Sequence, residues 1–112
     1  ARPLRVGALA IDPVARTVHV GPTRVGTSRL EFALLCALAA EPTRVFTRHE
    51  LLRDVWGFPR GEARTRTLDS HACRLRRKLT AAGAETLIDT VWGVGYRLLP
   101  PDGEPAAAER AA

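Results

Sequence analysis

The sequence contains no methionine, a single lysine, a single tyrosine and only two cysteines, and aromatics make up 5% of its 112 residues. Each scarcity excludes something. Cys36 and Cys73 each fall inside a predicted helix, and a secreted domain this small usually carries more crosslinks, so a reducing, cytoplasmic setting is expected. No CxxC or HxxxH pattern occurs. His71 and Cys73, two apart on a helix, diverge by roughly 200° and cannot share an ion, so no metal and no cofactor are expected. Asp69 and His71 diverge likewise and no Ser or Cys nucleophile accompanies them, which argues against an enzyme. Few aromatics disfavour a single-strand or RNA binder that works by stacking. No apolar run approaches the roughly 20 residues that span a bilayer. The start, Ala1-Arg-Pro-Leu-Arg5, lacks the apolar region of a signal peptide. The missing methionine fits an excised initiator and a piece of a longer chain equally.

What the sequence has is arginine. Sixteen of them, against Lys78 alone, dominate a net charge of +5, which favours a polyanionic partner. Hydrophobic residues make up 46% of the chain, enough for one core in a single domain over residues 1–99. Over 4–25, Leu4, Val6, Leu9, Ile11, Val14, Val18, Val20 and Val25 alternate loosely with polar residues between Gly and Pro turns, the pattern of a small antiparallel sheet. At Ser28 the period becomes helical. Ser28-Arg-Leu-Glu31 and Thr47-Arg-His-Glu50 are both capping-box sequences. The first opens a helix ended by Pro42, the second a short helix stopped by Gly57, with Arg44–Phe46 as an extended bridge. A polar loop over 57–64 leads to a third helix, Thr65 to about Ala82. Leu87–Val91 and Tyr96–Leu99 then flank Trp-Gly-Val-Gly as a hairpin. The tail, 100–112, has the composition of a disordered segment.

The third helix carries the chemistry. At about 100° per residue, Leu68, Ala72, Leu75 and Leu79 form one apolar seam. Arg66, Ser70, Cys73, Arg74 and Arg77 lie opposite, flanked by Thr67. From Arg64 to Lys78 there are six Arg or Lys against one acid. An ordinary solvated face mixes signs for i,i+4 support; this face barely does. A major groove admits a helix, guanine offers an Arg fork two acceptors, and phosphates line both walls. Asp69 reads as a partner or orienter of a neighbouring Arg. Helix, helix, loop, basic helix and Gly-rich hairpin is the order of a winged helix-turn-helix, an α+β fold.

These residues resemble the effector domain of OmpR/PhoB-type response regulators of bacteria. The likeness runs from about Leu4 to Leu99 and rests on Glu31-Phe-Ala-Leu-Leu35, Arg48-His-Glu-Leu-Leu52 with Val55-Trp-Gly57, Arg66-Thr-Leu-Asp-Ser-His71 with Arg74-Leu-Arg-Arg-Lys-Leu79, and Thr90-Val-Trp-Gly-Val-Gly-Tyr-Arg97. It implies an N-terminal four-stranded antiparallel sheet (4–25), a three-helix core (28–82) and a C-terminal β-hairpin wing (87–99). It also implies promoter binding by a two-component regulator that carries a further receiver domain served by a sensor kinase. Tandem dimers on direct-repeat half-sites are implied too, as is a polymerase-contact loop with Phe58, Arg60, Glu62 and Arg64. Carried over by position, Arg66, Thr67, His71 and Arg76 are phosphate contacts, and Ser70 and Arg74 are base readers. Trp56, through its indole N–H, joins Thr90 and Tyr96 in clamping the backbone.

Three positions depart from the family pattern. Ser70 stands where many members have an aliphatic residue. Cys73 replaces a frequent Arg. Trp92 replaces the wing Arg that usually enters the minor groove, and either lies against sugar-phosphate or packs on the hairpin. Two alternatives carry different tests. The same domain on a regulator outside phosphorelay, membrane-anchored or activating an antibiotic cluster, would differ in what precedes Ala1. A winged-helix protein-interaction module would tolerate charge reversal on the third helix.

Overall fold

A computed structural model describes residues 3–58, 65–84 and 87–99. Four short strands come first: β1 (Leu4–Val6), β2 (Leu9–Asp12), β3 (Thr17–Val20) and β4 (Thr23–Val25). They form an antiparallel meander in that order, with Leu9 opposite Val20 and Val18 opposite Val25. The period of two puts Val6, Leu9, Ile11, Val18, Val20 and Val25 on one buried face. Asp12 makes the β2–β3 turn by accepting the amides of Val14 and Ala15 at 3.0 and 3.1 Å, an Asx-type turn.

Helix α1 (Arg29–Ala40) starts where the sequence places it. Ser28 caps it, with Glu31 N–H donating to the Ser28 hydroxyl and Ser28 N–H to the Glu31 carboxylate. Then β5 (Phe46–Thr47) leads into α2 (Arg48–Asp54), opened by the second capping box between Thr47 and Glu50. Helix α3 (Thr65–Ala81) follows, and β6 (Asp89–Val91) and β7 (Gly95–Arg97) form an antiparallel hairpin.

The core joins the inner sheet face to Leu34, Leu35 and Leu38 of α1, Leu51 and Leu52 of α2, and Leu68, Ala72, Leu75 and Leu79 of α3. Burying each leucine contributes about 1.5–3 kcal/mol. The seam read from the sequence is thus the face by which α3 docks.

Two expectations need correction. The wing strands are shorter than 87–91 and 96–99, because Ile88 sits at φ 68 and leaves the strand before β6 begins, while Leu98 and Leu99 turn into the core. The expected bridge Arg44–Phe46 becomes a two-residue strand at Phe46–Thr47. β5 pairs with β7, so the wing is the outer part of a three-stranded sheet ordered β5-β7-β6. Gly95 makes this possible: a Cβ there would lie 1.9 Å from the Phe46 carbonyl oxygen. The expected tail over 100–112 lies outside the described residues, as do Arg60, Glu62 and Arg64 of the loop.

Candidate nucleic-acid interface

With its seam in the core, α3 turns Arg66, Ser70, Cys73, Arg74 and Arg77 to solvent, all exposed. Together with Asp69 they line one open, shallow depression. The sequence-predicted face is therefore assembled on one side of one rigid helix. Arg77 donates to the Cys73 sulfur at 3.4 Å, along the same face. A strip of guanidinium forks around two small side chains can accept an acceptor-rich edge at close range.

The edges of this face are tied to the protein. Arg74 donates through Nε to Glu31 at 3.3 Å, yet keeps 52% of its side chain in solvent. Lys78 Nζ donates to the other oxygen of Glu31 at 2.6 Å. Glu31 is 2% exposed. Burial pushes its carboxyl upward, but Lys78, the Ser28 amide and Arg74 outweigh that and hold it below the usual value. One buried carboxylate thus caps α1 and fastens α3.

On the other side stands a bracket to the wing. Arg76 donates to the Ile88 carbonyl at 2.9 Å and to the Thr90 hydroxyl at 2.7 Å. Asp69 accepts from the Tyr96 hydroxyl and from Arg48 Nε at 3.3 Å, and the Arg48 guanidinium lies 5.2 Å from the Tyr96 ring centre. Burial, and then the bond to Asp69, push the Tyr96 phenol up to about 12. Asp69 does pair with an arginine, as expected, but with one from α2 rather than from its own helix.

The remaining expected contacts divide. Thr67 is half-buried, its carbonyl accepting from His71 Nδ1–H at 2.8 Å. His71 stands edge-on to Trp56, ring centres 5.1 Å apart. The Trp56 indole N–H is buried without a hydrogen-bond partner. Tyr96 is 4% exposed and spends its hydroxyl on Asp69. Arg76 and Thr90 bind each other. Phe58 packs half-buried against the core. Trp92 is 87% exposed at the wing tip, which removes the alternative that it packs on the hairpin.

Sequence reasoning missed Arg48 and the second role of Glu31. Capping boxes announce helix starts but say nothing of a carboxylate's further partners, and here Oε1 also accepts from Lys78 while the free Oε2 accepts from Arg74, both on a helix more than forty residues away in the chain. Among the described residues no His/Cys/Asp/Glu group could hold a metal, and no helix is long and apolar enough to cross a membrane.

Comparison with known proteins places this geometry in a family. The family described as "Transcriptional regulatory protein, C terminal" matches residues 22–98. The response regulator MprA of Mycobacterium tuberculosis is 46% identical over 103 residues, covering 88% of this chain and 43% of MprA. The chain thus spans less than half the length of that relative. Among solved structures, the Klebsiella pneumoniae RstA DNA-binding domain in complex with the RstA box superposes with a TM-score of 0.77 at 32% identity, covering 88% of this chain and 97% of that one. The DNA-binding domain of CpxR from E. coli gives 0.78 at 28% identity, covering 89% and 98%. The four-stranded sheet, three helices and hairpin are the winged-helix fold of these OmpR/PhoB-type domains.

Proposed function

The chain belongs to the family of C-terminal domains of transcriptional regulatory proteins, and from that premise we propose that it binds double-stranded DNA sequence-specifically at promoters, as the effector domain of a two-component response regulator. The observation that carries the reading is the solvent row of Arg66, Ser70, Arg74 and Arg77 on α3, backed by a buried leucine seam. The helix enters the major groove, where the Arg74 fork meets base acceptors with Ser70 beside it, and Arg66 and Arg77 meet phosphates. Thr67 and His71 add to the phosphate grip from the edge of the helix. The RstA domain's complex with its DNA box supports this assignment.

The rest of the cell biology belongs to the same proposal. The domain acts in the cytoplasm and catalyses no reaction. A sensor kinase acts on a receiver domain elsewhere in the whole protein, copies bind in tandem on direct repeats, and the loop with Phe58, Arg60, Glu62 and Arg64 meets RNA polymerase.

Selection of binding sites from a random duplex pool tests the reading. Enriched direct repeats with centres about one helical turn apart are expected, with affinity falling steeply as salt rises. No enrichment, together with indifference of binding to charge reversal at Arg66 and Arg74, would sink it.

A further inference from the structure

Three arginines stand on the outward face of α3, and one of them is held differently. Arg66 makes no hydrogen bond or ion pair with any described residue. Arg77 donates only to the Cys73 sulfur, at 3.4 Å. Arg74 is tied to a carboxylate, its Nε–H donating to Oε2 of Glu31 at 3.3 Å. That anchor is itself fixed. Glu31 is 2% exposed, and its other oxygen accepts the Ser28 amide at 3.0 Å and Lys78 Nζ at 2.6 Å. A guanidinium is a planar fork of five donors with two usable edges, Nε beside one Nη or the two Nη groups together. With Nε occupied, the two Nη groups are the edge left to offer. They bond to no described residue, and half of the side chain is open to solvent.

We propose that Glu31, too deeply buried to meet a duplex, is a positioning residue for base choice, presenting the Nη1–Nη2 edge of Arg74 before DNA arrives. The inference rests on the DNA-binding reading above and deepens it. A long side chain loses rotamer freedom when it is immobilised at an interface, and a bond already made in the unbound protein removes that freedom in advance. One edge in one orientation suits one pattern of acceptors, the O6 and N7 of guanine. The untied Arg66 and Arg77 keep the freedom that suits phosphates, whose oxygens carry no sequence information. The face is thus divided by what lies behind it, with a braced reader between two loose cations.

The experiment compares the 112-residue chain with Glu31→Gln, Lys78→Gln, Arg74→Ala and the double variant Glu31→Gln with Arg74→Ala. Each is measured on the pool-selected duplex, on that duplex changed at the base pair where Arg74→Ala relaxes choice, and on a scrambled duplex. Glu31→Gln keeps an acceptor for the Ser28 amide but turns an amide NH2 group toward Arg74, a donor against a donor. Its discrimination between the first two duplexes is expected to fall about fivefold, part of what one bidentate pair supplies, while affinity for the scrambled duplex does not fall. In the Arg74→Ala background the same change is expected to cost no further discrimination, because Glu31 acts through Arg74. Lys78→Gln loosens the other carboxylate oxygen, spares the Arg74 bond and is expected to keep discrimination. NMR of the unaltered chain needs no variant: the Arg74 Nε–H is expected to be ordered without DNA, and those of Arg66 and Arg77 only with it. Unchanged discrimination in Glu31→Gln, or an Arg74 Nε–H as mobile as its neighbours before DNA is added, overturns this inference alone. So does an equal loss on all three duplexes, the mark of a purely structural role, or the same loss of discrimination in Lys78→Gln. If Arg74→Ala relaxes choice at no base pair, Arg74 is not the reader and this inference falls with that assignment. If the unaltered chain prefers no duplex, the DNA reading and this inference fall together.

Discussion

Lys78 Nζ lies 2.6 Å from Oε1 of Glu31, and the carboxylate that receives it is the one that closes the capping box of α1. Helix start and interhelix fastening are therefore a single group. Glu31→Ala leaves Lys78 without its partner, exposes the seam and removes the cap at once. Its partners Lys78 and Arg74 are 38% and 52% exposed, so each ion pair contributes at most about 1 kcal/mol, and the lost bond to the Ser28 amide costs about 1 kcal/mol more, together a sizeable share of the roughly 5–15 kcal/mol that keeps a domain folded. Urea unfolding is expected to show most of that loss, and a change under about 1 kcal/mol would mean the pair contributes little.

The same carboxylate makes stability depend on acid. Its folded value is held below the ordinary 4.5, so its contribution is complete above that value and is lost as pH falls through the folded one. Glu31→Gln cannot titrate and is expected to flatten the acid limb of a stability–pH curve below about pH 4.5. An unchanged limb would assign acid unfolding to other carboxylates.

Tyr96 is the only tyrosine, which makes its phenolate absorbance a clean report on the α3–wing bracket. Titration is expected to have its midpoint at about 12 and to shift toward 10 in Asp69→Asn. Because the folded value is raised, the phenol's contribution is full below the unfolded value near 10 and fades as pH climbs through 12. Tyr96→Phe is expected to cost about 1 kcal/mol and to flatten stability over that alkaline window.

Arg74→Ala and Arg76→Ala separate reading from bracing. Arg74 is half in solvent, so its link to Glu31 contributes at most about 1 kcal/mol to folding. Its loss is expected to cost about 1–3 kcal/mol of DNA affinity and to relax choice at one base pair. Arg76→Ala is expected to weaken every duplex alike. It should also speed hydrogen exchange at the Val91 and Val94 amides, since the root of the wing is released. If both variants lose equal affinity on all duplexes, the division of labour is wrong.

Gly95→Ala tests the seating of the wing. The added methyl would meet the Phe46 carbonyl at 1.9 Å, backbone against backbone, with no flexible side chain to yield. The β5–β7 pairing is expected to break, with stability falling by several kcal/mol. Melting temperature and proteolysis at the wing read it directly.

Local signals in the sequence carried most of this architecture. Both capping boxes formed as written, and the period of Leu68, Ala72, Leu75 and Leu79 placed the buried and exposed sides of α3 correctly. These are properties of neighbours in the chain, and helical spacing reveals them. The side-chain partners were not legible for the opposite reason. Nothing near Asp69 announces Tyr96, nothing near Arg76 announces Thr90, and the spare oxygen of Glu31 finds α3 only after folding. Position within a family motif suggested that Trp56, Tyr96 and Arg76 offer their polar groups outward. In the structure the Trp56 and Tyr96 groups turn inward, and the Arg76 guanidinium binds the wing root.

The short β5–β7 pairing bears on how this domain can be dissected. Gly95 and Tyr96 lie against Thr47 and Phe46, at the very start of α2, and the Leu99 amide donates to the Pro42 carbonyl just after α1. The last described residues are thus woven into the entrance of the helical half, and shortening the chain before residue 95 would unseat α2 as well as removing the hairpin. Deletion is consequently a poor way to ask what the arm contributes, and single substitutions at its tip are the instrument that leaves the remainder standing.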